Sequence, residues 1–444
     1  MTGPAPFGSR WQHFAGGFYN GLRGNLNKLF GGWSRIGPQR RKRMKFSKTS
    51  QLVLASAIGL AAASFLAGCQ IVTIDYVFVA CASGATTGEI LTYAADSQSG
   101  ALRQVNKAVT SGISDPVAMA TSSNFFSLYV ANQGSSSIAH FGIADTGVLS
   151  PLDTVTTAQP PVFLSVNQAD TYLYVISGTT SATLTEYPLD KNGKIGAAAA
   201  QRVLTLPNNP GDTIVATGVT ALPNNGSVYV SAYDQSAYNP GGSVTSTANP
   251  GWIFGFTVGS GGTLTATTNS PYKAGVKPSA LVPDPTSRFV YATDFASNQL
   301  VGYTVQTDYS LNFMINGPFK TGSQPTAILI DPRGIYIYLT NSLDNDVSAY
   351  TINLPTGTPS TVVNVTSSAL YSTDTQPVAL AIDPALGRFV YTANFLGNSI
   401  SGFRLNPESG SLTETQATPY PTGKNPTSVV IVPHGNHATQ SVTP

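Results

Sequence analysis

Charge is scarce in this chain. Only 10% of its 444 residues are Asp, Glu, Lys or Arg. Such a composition, rich in Gly, Pro, Ser and Thr, fits an all-β extracytoplasmic protein better than a helical cytosolic enzyme. Cysteine is almost absent. The two residues, Cys69 and Cys81, form no metal-binding spacing and leave at most one disulfide between them. Of four histidines, only His140 lies within the repeated region described below. There is no Gly-rich phosphate loop, no nucleophile elbow and no HExxH segment. No metal and no cofactor is therefore expected. The charge that exists is unevenly placed. Residues 1–48 hold ten Lys and Arg and no acid, whereas from Cys69 onward 13 Lys and Arg face 21 Asp and Glu, a net of −8. An acidic main body disfavours nucleic acid, because that binding leans on phosphate neutralisation.

What is present in abundance is a repeat. Its clearest copy runs Gln376-Pro377-Val378-Ala379-Leu380-Ala381-Ile382-Asp383-Pro384, then Arg388-Phe389-Val390-Tyr391-Thr392-Ala393-Asn394, then Asn398-Ser399-Ile400-Ser401-Gly402-Phe403. β-Branched and aromatic runs bounded by Gly, Pro, Asn and Asp predict short strands. We name them A (proline-led), B (Tyr-centred), C (ending on an aromatic) and D (variable, as in Ser411–Thr415). The strand B tyrosines, Tyr129, Tyr174, Tyr229, Tyr291, Tyr338 and Tyr391, recur about every 45–60 residues. Four strands per unit at that period predict a β-propeller.

The two ends of the array complete each other. The first unit starts at Asp75-Tyr76-Val77 without a strand A, and Asn425-Pro426-Thr427-Ser428-Val429-Val430-Ile431-Val432-Pro433 is a strand A with nothing after it. The expectation is an all-β, seven-bladed propeller over 75–433, closed by the C-terminal strand pairing into the first blade. A closed ring leaves no open sheet edge. The remaining 434–444 reads as a disordered tail.

Upstream of the array the text changes. Residues 1–43 form a basic extension, and Met44 is an alternative start. From 44 to 68, Lys45 and Lys48 precede an uncharged apolar run, Leu52–Ala67, which is short for a membrane span. It ends in Leu66-Ala67-Gly68-Cys69, which resembles the lipobox of bacterial lipoproteins at all four positions. That resemblance implies cleavage before Cys69, lipidation of Cys69 and stable membrane anchoring. Residues 69–74 would be a short linker, and Gln70 points to the outer membrane. An exported monomer facing the periplasm or outer membrane is expected.

Strand A is almost uncharged in every unit, so chemistry is expected at a rim. One rim collects Asp115, Lys277, Gln324, Gln376 and Asn425 before strand A and Asn132, Asp294, Asn341 and Asn394 after strand B. The latter four are candidate ligands for a hydroxyl-rich molecule, although Asn and Asp also recur as turn caps. Two long loops, Leu206–Thr217 and Tyr233–Gly251, fall on the same rim, where function tends to gather. The residue before the strand C aromatic is Thr92, His140, Glu186, Gly255, Gly302, Ala349 and Gly402 in turn. His140 and Glu186, in adjacent units, are the candidate catalytic residues, as a base and its carboxylate partner.

The segments Tyr129-Val130-Ala131-Asn132, Tyr338-Leu339-Thr340-Asn341 and Tyr391-Thr392-Ala393-Asn394 resemble the YVTN repeat. Together with the Pro…Asp-Pro…Arg-Phe-Val-Tyr text around them, they resemble the seven-bladed lactonase family, which includes the 6-phosphogluconolactonase-like propellers. The resemblance implies hydrolysis of a sugar-type lactone by a base that activates water and donors that hold the oxyanion. The chain lacks the cationic cluster that a phosphosugar would need. The alternative is a non-enzymatic propeller that binds a carbohydrate or an envelope protein. A quinoprotein propeller would need a tryptophan-rich repeat, and only Trp252 lies in the array.

Overall fold

The computed structural model describes residues 72–83, 87–111, 114–179, 181–207, 209–237, 250–362 and 370–444. The extension, the signal segment and Cys69 lie outside the described residues.

Seven antiparallel sheets form the blades of one ring. The innermost A strands are Pro116–Thr121, Pro161–Val166, Ile214–Ala221, Pro278–Pro283, Pro325–Ile330, Pro377–Ile382 and Pro426–Pro433. The B strands are Thr73–Cys81, Ser127–Asn132, Tyr172–Ser177, Ser227–Asp234, Phe289–Asp294, Tyr336–Asn341 and Phe389–Asn394. The last A strand belongs to blade 1. It pairs antiparallel with Thr73–Cys81, from Asp75 opposite Pro433 to Cys81 opposite Pro426. The expected closure is thus observed, and blade 1 is the only blade built from both chain ends.

The hydrophobic pattern explains why the ring needs every blade. Among the described residues there are seven apolar clusters, and each joins one pair of neighbouring blades. Blade 7 meets blade 1, for example, through Phe389, Tyr391 and Ala393 against Val77, Val79, Val429 and Ile431. Both faces of a B strand are therefore buried, which is why these strands read as unbroken apolar runs.

Polar contacts repeat with the same period. The strand B tyrosine hydroxyl donates to a carbonyl in the C–D turn of the next blade: Tyr129 to Gly193, Tyr229 to Tyr309, Tyr291 to Gly357, Tyr338 to Gly410 and Tyr391 to Gly100, at 2.6–2.7 Å. On the other rim, asparagine side chains staple successive blades. Asn298, Asn345 and Asn398 accept the backbone N–H of Gln324, Gln376 and Asn425 at 2.7–2.8 Å. All six of these residues have φ between 51° and 58°. Asn adopts that conformation more readily than most residues, which explains its recurrence ahead of strand C.

Two expected boundaries change. The linker ends sooner than position 74, because Thr73 and Ile74 already belong to the first B strand. The tail is ordered: His434 N–H donates to Ile74 O at 2.8 Å, and Gly435–Thr439 forms a 3-10 turn that buries His437. Its side chain has polar partners under the ring, so the tail docks rather than frays. Cys81 is a buried free thiol, and burial pushes its pKa up to about 12.

Candidate functional site

None of the seven A strands contains a titratable side chain. Acid–base chemistry has no group to use along the channel wall, as the sequence suggested. The search for a site moves to the rims and to the interiors of the blades.

His140 and Glu186 occupy the position opposite the strand B tyrosine, facing Tyr129 and Tyr174 respectively. The small residues of other blades have a steric reason. A side chain at Gly255 or Gly402 would run into the tyrosine ring and the threonine just after strand D, Thr267 or Thr415. In blade 2, His140 instead stacks on Tyr129, with ring centroids 4.8 Å apart. Its Nδ1 meets Asp153 Oδ1 at 2.5 Å and its Nε2 meets Ser127 Oγ at 3.0 Å. Both ring nitrogens are thereby occupied within blade 2, so the expected His140–Glu186 pair does not form. The hydroxyl–imidazole–carboxylate order is that of a nucleophile relay. Here, however, His140 is 1% exposed and Gly193 of the next blade covers it. A substrate carbonyl has no approach to Ser127, and we read the array as a polar packing unit.

Glu186 is equally enclosed, at 0% exposure. Gly262 of blade 4, at φ 79°, sits on its carboxyl, and any Cβ there would collide with it. Neither oxygen meets a donor at hydrogen-bonding geometry. Burial pushes its pKa up from 4.5 to about 7. A raised carboxyl pKa means the folded chain tolerates the acid and resists the anion. The protein should therefore lose about 2–3 kcal/mol of stability as pH rises from 4.5 to above 7. Glu186→Gln should remove that loss and unfold at higher urea than the parent at pH 8, but not at pH 4. Parallel stability curves for the two proteins across this range would show that Glu186 is not held neutral.

The four rim candidates are also enclosed. Asn132, Asp294, Asn341 and Asn394 are each 0% exposed. Asp294 accepts backbone N–H groups of Val276 and Lys277 at 2.7 and 2.9 Å. Asn341 and Asn394 donate to side chains that open strand C, Asp346 at 2.6 Å and Ser399 at 3.0 Å. Asn132 donates to Ser111 O. They tie the end of strand B to its surroundings and are closed off from solvent.

Blade 4 departs from this arrangement, and it does so on the rim of the long loops. Asp234 ends its strand B and accepts the Ser236 N–H at 2.8 Å. A second acid, Asp212, lies close by on the loop before strand A. Burial and this carboxyl raise the Asp234 pKa, against the backbone donors Ala237 and Ser236. The loop before strand A is held to the turn after strand B, with Gln235 N–H on Thr213 O at 2.8 Å and Thr213 N–H on Ser236 Oγ at 3.0 Å. Asp234 is 3% exposed, while Asp212 is only half-buried and opens the pair to solvent. Lys277 Nζ lies 5.4 Å from the ring of Tyr233, the residue before Asp234, and 4.8 Å from the Phe295 ring, and burial lowers its pKa. An acid, a base and a partly desolvated cation thus gather on one accessible rim.

A family model described as lactonase, 7-bladed beta-propeller, matches the chain over residues 76–213 and 144–439. The chain belongs to the seven-bladed lactonase family. Among solved structures, the propeller resembles a putative 6-phosphogluconolactonase from Bacteroides uniformis, with TM-score 0.66, 18% identity and coverage of 81% of this chain and 99% of that one. It resembles the periplasmic gluconolactonase of Pseudomonas aeruginosa with the same four values. A protein from Lactobacillus plantarum matches with TM-score 0.64 and 17% identity, covering 81% of this chain and all of the other. At these identities the likeness is one of fold. No curated protein matches the chain. Within the family fold, the Asp212–Asp234 pair was hidden from the sequence reading because strand-end acids cap turns elsewhere. The available signal was the repeat break itself: the loop entering strand A of blade 4 carries an acid, Asp212.

Proposed function

We propose that this propeller hydrolyses a sugar-type lactone at the rim of blade 4. The carrying observation is the Asp212–Asp234 carboxyl pair on the rim that also carries Lys277. Asp212, as carboxylate, takes a proton from water as its oxygen attacks the lactone carbonyl carbon. The Lys277 ammonium stabilises the oxyanion. Collapse breaks the bond from the carbonyl carbon to the ring oxygen, and Asp234 gives that oxygen its proton. Water and lactone become one hydroxy acid, and the proton that Asp212 took passes to Asp234, which restores both groups. A rim where two acids accompany Lys277 suits a neutral lactone better than a phosphorylated one. Family membership supports the reaction class. The Leu66-Ala67-Gly68-Cys69 segment supports an exported monomer tethered through lipidated Cys69, facing the periplasm or outer membrane.

The test is pH-stat titration of the purified protein with sugar and aliphatic lactones. Turnover above buffer on a sugar lactone is the expected result. The second reading, a propeller that binds an envelope carbohydrate or protein without catalysis, is favoured by the A strands, which carry no titratable group. No turnover on any lactone would leave that second reading in place.

A further inference from the structure

The docked tail brings together three groups that no proposed chemistry uses. They lie on the rim of the A–B turns, opposite to the Asp212–Asp234 pair. His437 comes from the 3-10 turn, Asp75 from the first B strand and Asp383 from the Asp-Pro turn of blade 7. All three are buried, and one ligand atom from each lies within 4.8 Å of the others. His437 Nε2 is 2.8 Å from Asp383 Oδ1 and 3.6 Å from Asp75 Oδ1.

Three further observations describe what these atoms await. Asp75 is 0% exposed, and neither of its oxygens has a hydrogen-bond donor. A buried carboxylate without donors is costly and calls for a cation. Next, His437 Nδ1 is 2.7 Å from Gln440 Oε1. An amide oxygen accepts from Nδ1–H, which leaves the Nε2 lone pair directed at the two carboxylates. Metal-bound histidines are commonly oriented by such a partner. Finally, donors about 2.0–2.2 Å from a tetrahedral zinc ion sit about 3.4 Å apart. The separations of 2.8 and 3.6 Å bracket that value, so shifts of a few tenths of an ångström admit an ion.

We propose that Asp75, Asp383 and His437 form a binding site for a divalent cation of the zinc or manganese type, which fastens the C-terminal tail across the ring closure. The remaining charge nearby is Arg388, whose backbone N–H also reaches Asp383 Oδ2 at 3.0 Å. Asp383 Oδ1 additionally accepts the Ala385 N–H at 2.9 Å. Two carboxylates and a neutral imidazole carry −2, which a divalent ion balances. Because the tail supplies the imidazole, the ion can enter before the tail docks and is enclosed afterwards.

The experiment measures metal content of the full-length protein purified without chelator, then follows Zn²⁺ and Mn²⁺ titration of the EDTA-stripped protein by calorimetry. Near one equivalent of metal is expected, with a Tm lowered by several degrees on stripping and restored by the ion. His437→Ala should weaken binding at least 100-fold, and Gln440→Ala about 10-fold. His437→Ala removes no strand residue, so it keeps the test interpretable if Asp75→Asn fails to fold. Absence of bound metal together with no heat of binding would overturn the site and leave a plain ion pair. Equal affinity in His437→Ala would place any bound metal elsewhere and overturn it too.

Discussion

Asp212→Asn and Asp234→Asn should each lower kcat/KM for a hydrolysed lactone by about 100- to 10,000-fold, the range that a positioned acid or base contributes. The two substitutions should not multiply. Base and acid act here as one proton-passing unit, so the double variant should fall little below the worse single variant. Turnover requires the proton on Asp234. It falls on the alkaline side as Asp234 ionises, and since burial and Asp212 raise the pKa of Asp234, that limb lies above the ordinary carboxyl range. Glu186→Gln, enclosed within blade 3, should leave the profile in place. A large loss in Glu186→Gln or His140→Ala with folding intact, and none in the Asp212 and Asp234 variants, would move the chemistry into the blades and sink the rim assignment.

The fold was legible because its determinants repeat. A proline that opens strand A, a tyrosine at the centre of strand B and an asparagine ahead of strand C each perform one physical task in several blades. The tyrosine latches the next C–D turn, and the asparagine staples the next strand A. Repetition turns weak local signals into a period. The site was less legible for the same reason. Asp294 and Asp234 sit at equivalent strand ends and both accept backbone donors, yet a second acid lies near Asp234. That difference is made by a loop of irregular length, on which periodicity is silent. His140 and Glu186 were visible as breaks in a small-residue position. What the sequence could not show was that strand D and the next blade's glycine turn would enclose them. His437 lay beyond the repeat, and its role depends on Asp75 and Asp383, from blades that meet only when the ring closes.

Ring closure carries the largest expected effect on stability. Deleting residues 426–444 removes strand A of blade 1. Val429, Ile431 and Val432 then leave clusters shared with blades 7 and 2. At about 1.5–3 kcal/mol for each buried aliphatic side chain, that loss approaches the whole stability of a typical domain, about 5–15 kcal/mol. It also removes the inter-blade bonds from Thr427 to Pro116 O at 2.7 Å and from Met119 N–H to Ser428 Oγ at 3.1 Å. The deletion exposes Thr73–Cys81 as a long apolar edge, a template for aggregation. The truncated chain is expected in the insoluble fraction. The milder variant Ile431→Ala should stay folded and lose about 2–4 kcal/mol in urea. Because every apolar cluster is shared between two blades, its unfolding should remain one transition, with Trp252 fluorescence in blade 4 and far-ultraviolet circular dichroism moving together. A separate early transition that leaves Trp252 unmoved would mean that blade 1 frays alone and that closure is local. A soluble, folded 426–444 deletion would show that six blades hold without the seventh being complete, and the closing strand would then not be what makes the ring cooperative.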